Sequence, residues 1–417
     1  MGKPKIRFEG YSEDWEQRKF GEIVEKYEDP VETPTEGYTR LGIRSHAKGT
    51  FHNYVEKGKE LETAKMFRVA ADKFIVNITF GWEHAVAITD ENDAGKLVSH
   101  RFPQYSFNAG MVPKYFRYLI LDEKFKHHLE LSSPGGAGRN RVLKLNDMLQ
   151  YKMNFPFEAE QKKIAAYFDD LDNLITLHQR KYDETKTLKK YMLQKMFPQN
   201  GEKVPEIRFD GFTEDWEQRK LGDLIEDNII IEQSDGNHGE LYPRSDEFTD
   251  AGIPYIAASA ISSSGDDIDF NLVKYLPLKR AEQFRKGVAQ NGDILLAHNA
   301  TVGPCLQLSM EYDFSILSTS LTLFRINENK MNSKFFLQML RSDLFQNQLF
   351  KYMKQTTRSQ VPILTQRKLE VCYPNNTQDQ ELIGTYLSNL DHLITLHQRK
   401  CDELQSIKKF MLQNMFI

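Results

Sequence analysis

The sequence predicts an α+β fold, in which two α/β domains are separated by two long antiparallel coiled-coil helices and the whole forms a pseudo-two-fold internal repeat. Three observations predict it. The 417-residue chain contains two pairs of nearly identical segments, the second pair has the periodicity of long amphipathic helices, and the stretches between the segments mix strand-like and helical runs.

The first pair of segments opens each half of the chain. Ile6–Gly21 and Ile207–Gly222 are identical at twelve of sixteen positions, and Leu171–Glu184 and Leu390–Glu403 at twelve of fourteen. The first pair is offset by 201 residues and the second by 219, so the second half has 18 more residues between its shared segments. Because the intervening stretches diverge while their flanks do not, we expect one scaffold that presents two different surfaces.

The second pair of segments lies within two predicted helices of some 40 residues. Residues 158–197 contain neither Gly nor Pro, and Pro156 and Pro198 flank them. Apolar residues alternate at spacings of four and three, which indicates a coiled-coil seam. The chain must leave the first helix and return for the second, so antiparallel pairing is expected. The predicted helix-pairing residues are Ile164, Phe168, Leu171, Ile175, Ile383, Leu387, Leu390 and Ile394.

His178 and His397 fall on the same seam. The pair could hold a metal ion, or each imidazole could be packed or hydrogen-bonded between the helices. The second interpretation is favoured, and no metal site is predicted, since Cys305, Cys372 and Cys401 form no zinc-ligand pattern either. Three widely spaced cysteines fit a reducing, cytoplasmic setting.

Each variable stretch is predicted to be an α/β domain. The predicted strands are Lys73–Ile78, Ala85–Ile88, Gly292–Ala297 (with its turn) and Ser320–Arg325, and the predicted helices are Tyr115–Leu131 and Ser333–Lys354. The predicted segments are 1–155 for the first domain with its shared opening, 156–198 for the first helix, 199–373 for the linker and second domain, and 374–417 for the second helix.

Polar clusters on predicted loops are the candidate DNA-contacting residues. Arg suits guanine, Asn and Gln suit adenine, and Ser or Thr suit either, while Arg and Lys also hold phosphates. For any single residue, an exposed polar loop without a ligand is an equally good interpretation. The candidates are Arg44, Ser45, His46, Lys48, Ser99, His100, Arg101, Arg139, Asn140, Arg141, Ser262, Ser263, His298, Asn299, Thr301, Gln355, Thr356, Thr357, Arg358, Ser359 and Gln360.

The sequence contains no motif that predicts catalysis. There is no GxxxxGK[ST] phosphate loop and no HExxH, so no catalytic residue and no cofactor are predicted. A net charge of −4 disfavours a protein that coats nucleic acid indiscriminately, although a local basic surface would suffice for binding. No run of about 18 apolar residues occurs, so no membrane partner is expected.

The layout resembles the specificity subunit of type I restriction–modification enzymes over essentially the whole chain. The resemblance is carried by the openings at Glu13–Gly21 and Glu214–Gly222 and by the LDxLITLHQRK helices that begin at Leu171 and Leu390. Gly292–Leu295 in the second domain also fits the family. The first domain departs from it, because Ala71-Asp72-Lys73-Phe74 stands where the family often has a Gly-Asp pair.

The resemblance implies a non-catalytic, DNA-binding subunit in which each variable domain is a target-recognition domain for one half of a bipartite site in double-stranded DNA. It implies that the helices dock two methyltransferase subunits and that restriction subunits complete the complex. S-adenosylmethionine, ATP and magnesium would then be bound by those partners. Two rival hypotheses are an enzyme that itself cuts or methylates DNA and a scaffold that binds no DNA.

Overall fold

A computed structural model describes residues 3–60, 65–135, 141–199, 201–262, 265, 267–354 and 359–416. The chain divides into two compact units, which we call the first unit (Met1–Leu177 with Cys401–Ile417) and the second unit (His178–Lys400). Both mix helices and sheets, as the α+β prediction requires. The division made from the sequence separates each domain from the long helix that follows it, which gives four segments. It stays a prediction.

The first unit contains a repeated opening segment, a variable domain and parts of two long helices. Its strands are β1 (Glu16–Lys19), β2 (Val24–Tyr27), β3 (Pro30–Glu32), β4 (Tyr38–Ile43), β5 (Thr50–Val55), β6 (Lys65–Arg68), β7 (Lys73–Val76), β8 (Val86–Ile88), β9 (Leu97–Val98), β10 (Gln104–Phe107) and β11 (Lys152–Phe155). Its helices are α1 (Phe20–Ile23), α2 (Pro113–Leu119), α3 (Glu123–Leu131), α4 (Leu145–Met148), the 3₁₀ turn Gly81–Glu83 and the start of α5 (Glu158–Lys195).

Two sheets build the variable domain of the first unit. One has the strand order β2-β10-β7-β8 and the other β3-β6-β9-β4-β5, while β1 pairs separately with β11. Strand β7 is apolar at three successive buried positions, Phe74, Ile75 and Val76, because it is covered on both faces. Its ring neighbours Phe20 and Phe125 place it at the centre of the core.

The second unit repeats this plan. Its strands are β12 (Glu217–Lys220), β13 (Ile230–Asp235), β14 (Ile253–Ile256), β15 (Lys274–Leu276), β16 (Val288–Ala289), β17 (Ile294–Asn299), β18 (Thr301–Gln307), β19 (Ser315–Leu317), β20 (Leu321–Ile326) and β21 (Glu370–Tyr373). Its helices are α6 (Leu221–Glu226), α7 (Leu278–Ala281), α8 (Ser333–Arg341), α9 (Asp343–Met353), α10 (Ile363–Gln366) and most of α11 (Thr377–Met415), with 3₁₀ turns at Gly239–Leu241, Ser245–Glu247 and Ala258–Ala260. The sheet orders are β13-β20-β17-β18, β15-β14-β19-β16 and β12-β21.

The shared opening segments fasten each variable domain to a long helix. Arg7 forms a two-bond ion pair with the buried carboxylate of Glu160, 2.7 Å for each bond, and donates to the Glu13 carbonyl. Arg208 and Asp379 make the equivalent pair in the second unit. These contacts explain why the segments are retained in both halves.

The opening segments also supply one large core residue to each unit. Trp15 is 1% exposed and packs edge-on against Tyr115, and Trp216 is 2% exposed and packs against Phe335. The strand that follows pairs with the last strand of the variable domain, Glu16 opposite Phe155 and Glu217 opposite Tyr373. Each shared segment therefore closes its own domain.

The long helices pair antiparallel within each unit. In the first unit, Asp172 forms an ion pair with Lys408, and the Phe168 ring lies 5.8 Å from that of Phe416. In the second, Lys189 forms the corresponding ion pair with Asp391. As the residue number rises on one helix, its partner's number falls on the other, which defines the antiparallel direction.

The predicted seam residues serve two purposes. Ile164, Phe168 and Leu171 are buried in the first unit's core, and Phe168 also stacks on Tyr118 of α2. Ile175 is partly buried in the same core. In the second unit the cluster contains the corresponding residues of α11, Ile383, Leu387 and Leu390, whereas Ile394 is half-buried. The seam therefore packs against the variable domains as well as against the partner helix.

Helix α11 contains one glycine, Gly384, where α5 has Ala165. A Cβ atom at Gly384 would lie 2.5 Å from the Phe335 backbone nitrogen and 3.0 Å from the Asn332 side-chain oxygen. Asn332 caps α8 by accepting from the Phe335 N–H at 3.0 Å. The glycine thus allows the start of α8 to approach α11 closely.

Both predicted domain helices are in fact two helices. The first breaks between α2 and α3, where the Asp122 carboxylate accepts from the Lys124 N–H and begins a new helix. The second breaks at Ser342, which caps α9 in the same way. The single-helix predictions were wrong because a polar capping residue inside an apolar pattern was read as a helical position.

The divergent start of β7 is explained by one backbone conformation. Asp72 has φ +57° where the equivalent Gly292 before β17 has φ +94°. Asp is one of the few L-residues that adopt this left-handed region readily. The first domain therefore makes the same turn without the glycine that the resemblance led us to expect.

Candidate nucleic-acid interface

A cleft of about 620 Å³ lies within the first unit. It is lined by Arg40, Leu41, Gly42, Ile43, Ser45, Phe51, Asn77, Thr79, Phe80, Glu83, Ser99, His100, Arg101 and Phe102. The cleft brings together two predicted clusters that are far apart in sequence, since Ser45 belongs to one and Ser99, His100 and Arg101 belong to the other.

The Arg44–Lys48 loop is held to the 3₁₀ turn beside the cleft. The Ser45 hydroxyl donates to the Glu83 carboxylate at 2.6 Å, and the His46 and Ala47 N–H groups donate to the carbonyls of Glu83 and His84 at 2.8 Å. His46 and Ala47 have φ +61° and +48°, a conformation that costs L-residues about 1–2 kcal/mol each. The bonds to the turn offset that cost and fix the loop.

The charged groups of the cleft include both signs. Arg40 and Arg101 supply cations and Glu83 supplies an anion. Arg44, His46 and Lys48 are exposed on the adjoining loop. Arg is suited to guanine and to phosphate, and a carboxylate can accept from the cytosine amino group.

Arg40, Asn77, Thr79 and Phe80 are cleft residues that the sequence-based candidates missed. Asn77 and Thr79 directly follow β7, so polar residues at the end of a predicted apolar strand were an available signal. Phe80 is a partly exposed aromatic side chain beside them. An exposed aromatic ring at such a cleft can stack on a base or contact a thymine methyl group.

In the second unit, two predicted clusters meet at the tip of the β17–β18 hairpin. The hairpin turns at Ala300, which has φ +65°. The Ala300 N–H donates to the Ser359 carbonyl at 2.9 Å, Asn299 forms a β-bridge with Gln360, and the Val361 N–H donates to the His298 carbonyl at 2.8 Å. Thr301 is exposed on the first position of β18.

The loop placement predicted for His298 was wrong. It lies on β17, its side chain is only 5% exposed, and its Nδ1 atom is 2.9 Å from the Thr322 hydroxyl oxygen. Burial lowers the pKa of His298 to about 4, so the ring is neutral near pH 7. No local pattern indicates this burial, because His298 lies in a polar run of the kind that marks loops.

The other predicted residues have varied surroundings. Arg141 is half-buried with its guanidinium 5.5 Å from the Trp82 ring centre. Ser262 closes a short turn, its carbonyl accepting from the Gly265 N–H and its hydroxyl from the Asp267 N–H. The candidates outside the described residues are Arg139, Asn140, Ser263, Gln355, Thr356, Thr357 and Arg358.

The chain segments after α3 and α9 are fastened at equivalent places in the two units. The Leu143 N–H donates to the Ile78 carbonyl at 2.8 Å, just as the Val361 N–H donates to that of His298. Residues 136–140 and 355–358, which carry Arg139 and Arg358, precede these anchors by the same few positions.

The family model for the type I restriction modification DNA specificity domain matches the chain twice, over residues 12–187 and 213–406. The chain belongs to this family. The specificity domain is a DNA-recognition component, so the chain is a DNA sequence-specificity subunit and not the catalytic part of a restriction–modification enzyme.

Similar proteins agree with this assignment. The chain is 24% identical over 301 residues to the type I restriction enzyme MjaVIII specificity subunit of Methanocaldococcus jannaschii, covering 70% of this chain and 67% of that one. It is 28% identical over 211 residues to the putative MjaX specificity subunit of the same organism, covering 49% and 46%. The crystal structure of a type I restriction-modification S subunit from M. genitalium shares the fold, with a TM-score of 0.63, 14% identity and coverage of 100% and 99%.

Two negative findings apply to the described part of the chain. None of its helices combines the length and apolar character needed to cross a membrane. No group of three or more His, Cys, Asp or Glu side chains is placed to hold a metal ion in the same residues.

Proposed function

We propose that each unit of this specificity subunit reads one half of a bipartite sequence in double-stranded DNA. The observation that carries the proposal is the corresponding placement of two different polar surfaces on one repeated frame. In the first unit this surface is the cleft, where Thr79 and Phe80 follow Ile78; in the second it is the hairpin tip, where Asn299 follows His298, with the segment from Ser359. Two unrelated half-sites require two different base-contacting surfaces, and one repeated fold can present both.

We further propose that the helices dock two methyltransferase subunits, one on each unit. Each unit exposes three large apolar side chains on its helix pair, which we call its apolar patch. In the first unit the patch is Leu174, Ile407 and Phe410, and in the second it is Leu393, Leu188 and Tyr191. The members correspond one to one in the repeat, since Leu174 matches Leu393, Ile407 matches Leu188 and Phe410 matches Tyr191.

These patches support docking because of where they lie on the helices. Leu188 and Tyr191 are three residues apart on α5, and Ile407 and Phe410 are three residues apart on α11, so each pair lies on one face of its helix. Scattered exposed apolar residues need no explanation, but the same patch kept in both copies favours a partner surface. Two equivalent patches favour two copies of one partner.

The chemistry would belong to the partners under this proposal. S-adenosylmethionine would be bound by the methyltransferase subunits, and ATP and Mg²⁺ by the restriction subunits. This chain would contribute the choice of sequence alone.

The proposal is tested by mapping the adenines or cytosines that become methylated when the chain is produced with its methyltransferase. One bipartite sequence, with specified bases on both sides of an unspecified gap, is the expected result. Methylation at a single continuous sequence, or methylation that is the same without this chain, would refute the proposal. A parallel assay of the purified chain alone should give neither cleavage nor methylation.

A further inference from the structure

A buried polar network lies directly behind the hairpin tip of the second unit. The Thr322 hydroxyl oxygen is 2.9 Å from His298 Nδ1 and accepts from the Gln366 side-chain amide at 2.9 Å. The same Gln366 amide donates to the Val361 carbonyl at 2.9 Å. Thr322 and Gln366 are fully buried. The network therefore connects β17, β20 and α10 to the segment that ends at Val361.

The network extends one step further toward the surface. The Gln233 side-chain amide donates to the Gln366 side-chain oxygen at 3.3 Å, and the Arg367 guanidinium donates to the Gln233 side-chain oxygen at 2.8 Å. Both polar ends of Gln366 are thus engaged. A hydrogen-bonded buried network favours one arrangement, because a displaced member leaves a donor or acceptor without a partner at a cost of about 1–3 kcal/mol.

The segment held by the network is the one that carries the predicted base readers. Val361 is bound on both sides, through its N–H by the His298 carbonyl and through its carbonyl by Gln366. Ser359 and Gln360 are tied to Ala300 and Asn299 at the hairpin tip. Movement of Val361 would therefore shift the exposed end of the candidate interface.

The first unit makes the same fold without any of these polar groups. Ile78 corresponds to His298, because each accepts the N–H of the anchoring residue. Met148 corresponds to Gln366 as the last residue of α4 and α10. Pro103 corresponds to Thr322, because the Pro103 carbonyl accepts from the Val76 N–H and Thr322 lies opposite Leu296, the residue of β17 that is equivalent to Val76. The shared frame thus tolerates apolar residues at all three positions, of which Met148 is buried and Ile78 and Pro103 are half-buried.

That contrast indicates what the network is for. Apolar residues at these positions keep the fold without the desolvation cost of a buried imidazole, hydroxyl and amide. The polar residues of the second unit add hydrogen bonds of defined direction next to the Ser359–Val361 segment. Burial also keeps His298 neutral near pH 7, with a pKa lowered to about 4, so that its ring joins the network without a charge.

We propose that His298, Thr322 and Gln366 are positioning residues that set the half-site specificity of the second unit. They hold the Ser359–Val361 segment against the hairpin tip and touch no base themselves. The inference rests on the proposed function, in which the second unit reads one half-site.

The test compares Thr322→Val with Thr322→Ser in the full chain assembled with its methyltransferase. Methylation rates are measured on the recognised sequence and on sequences with one base changed in either half-site. Valine removes the hydroxyl at nearly constant shape, so discrimination in the second unit's half-site should fall about tenfold, the scale of one mismatched base pair. Serine keeps the hydroxyl and should retain wild-type discrimination, and the first unit's half-site should not change in either variant.

Gln366→Met provides a second variant that the frame accepts, because Met148 fills the equivalent place in the first unit. Gln366→Met should lose discrimination in the second unit's half-site only, and it should stay folded well enough to assemble with the methyltransferase. Unchanged discrimination in Thr322→Val and Gln366→Met, or an equal loss in both half-sites, would overturn the inference. A wild-type complex that does not discriminate at all in one half-site would contradict the proposed function instead.

Discussion

His178 and His397 face each other across the helix pair, with their Nδ1 atoms 3.1 Å apart. This distance is that of a hydrogen bond, in which one neutral imidazole donates and the other accepts. This arrangement agrees with the interpretation that the seam histidines are packed and hydrogen-bonded between the helices. Two imidazolium ions could not make the bond, since both nitrogens would then be donors.

The histidine pair predicts a loss of stability in mild acid. Burial, and then the neighbouring charges of His178 and Lys181, hold the pKa of His397 below its ordinary value. The unfolded chain therefore binds a proton near pH 6.5 that the folded chain does not, so this contribution is present above that pH and is lost as the pH falls toward the folded pKa.

The free energy of unfolding should accordingly decrease between about pH 7.5 and 5. His397→Leu should flatten part of that decrease, while His392→Ala, a change of an exposed histidine on the same helix, should follow the wild type. The measurement is chemical denaturation across this pH range. Parallel curves for His397→Leu and the wild type would show that the pair does not titrate with folding.

Gly384→Ala should destabilise the protein although alanine favours helices. The added Cβ would lie 2.5 Å from the Phe335 nitrogen, so α8 must shift or lose its cap at Asn332. We expect a loss of about 1–3 kcal/mol, against the gain of about 1 kcal/mol that alanine brings in an open helix. A higher denaturation midpoint for Gly384→Ala would contradict the close approach of α8 and α11.

Arg101→Ala should relax specificity at one position of a single half-site. Arg101 is exposed in the first unit's cleft, where its guanidinium can bind a guanine edge. Loss of such a contact costs roughly 1–3 kcal/mol of discrimination. Arg68→Ala, at an arginine on β6 that pairs with Asp29, serves as the control. Binding that weakens equally for all sequences, with a smaller salt dependence, would assign Arg101 to a phosphate.

Phe410→Asp should remove one methyltransferase subunit from the complex. The change places a charge in the first unit's apolar patch, and Tyr191→Asp makes the equivalent change in the second. Native mass spectrometry should show one bound subunit for each single variant and none for the double variant. Gln405→Asp adds the same charge to an exposed polar position of α11 that lies about 140° around the helix from Phe410, and it should leave two subunits bound.

The features that could best be predicted from the sequence are those whose physical cause recurs along the chain. Alternating spacings around Phe168 and Leu387 predicted long helices because every turn buries the same stripe. The repeated Trp15 and Trp216 marked equivalent places because each fills its own core. The contacts of the seam residues were predicted only in part, since the stripe also packs against the variable domains. Periodicity does not identify the surface that covers a helix.

The candidate interface was less predictable because its contacts join distant segments. The meeting of Ser45 with Ser99 and Arg101 depends on strand pairing that leaves no local pattern. His298 was misplaced for the same reason, since its ring is buried and bonded to Thr322, a residue of another strand. Polar residue type indicated contact with a ligand, whereas the hydrogen-bond network behind the loop could be seen only in three dimensions.

The most direct test of the central claim exchanges one variable block. Residues 22–151 would be replaced by the equivalent block of another specificity subunit with a different recognition sequence, leaving both shared openings and both helices intact. Methylated sites would then be mapped for the hybrid and the parent, each with the same methyltransferase. The claim predicts that one half-site changes to the donor's sequence while the other stays the same. A hybrid that is fully active but changes both half-sites, or neither, would contradict the assignment of one half-site to each unit.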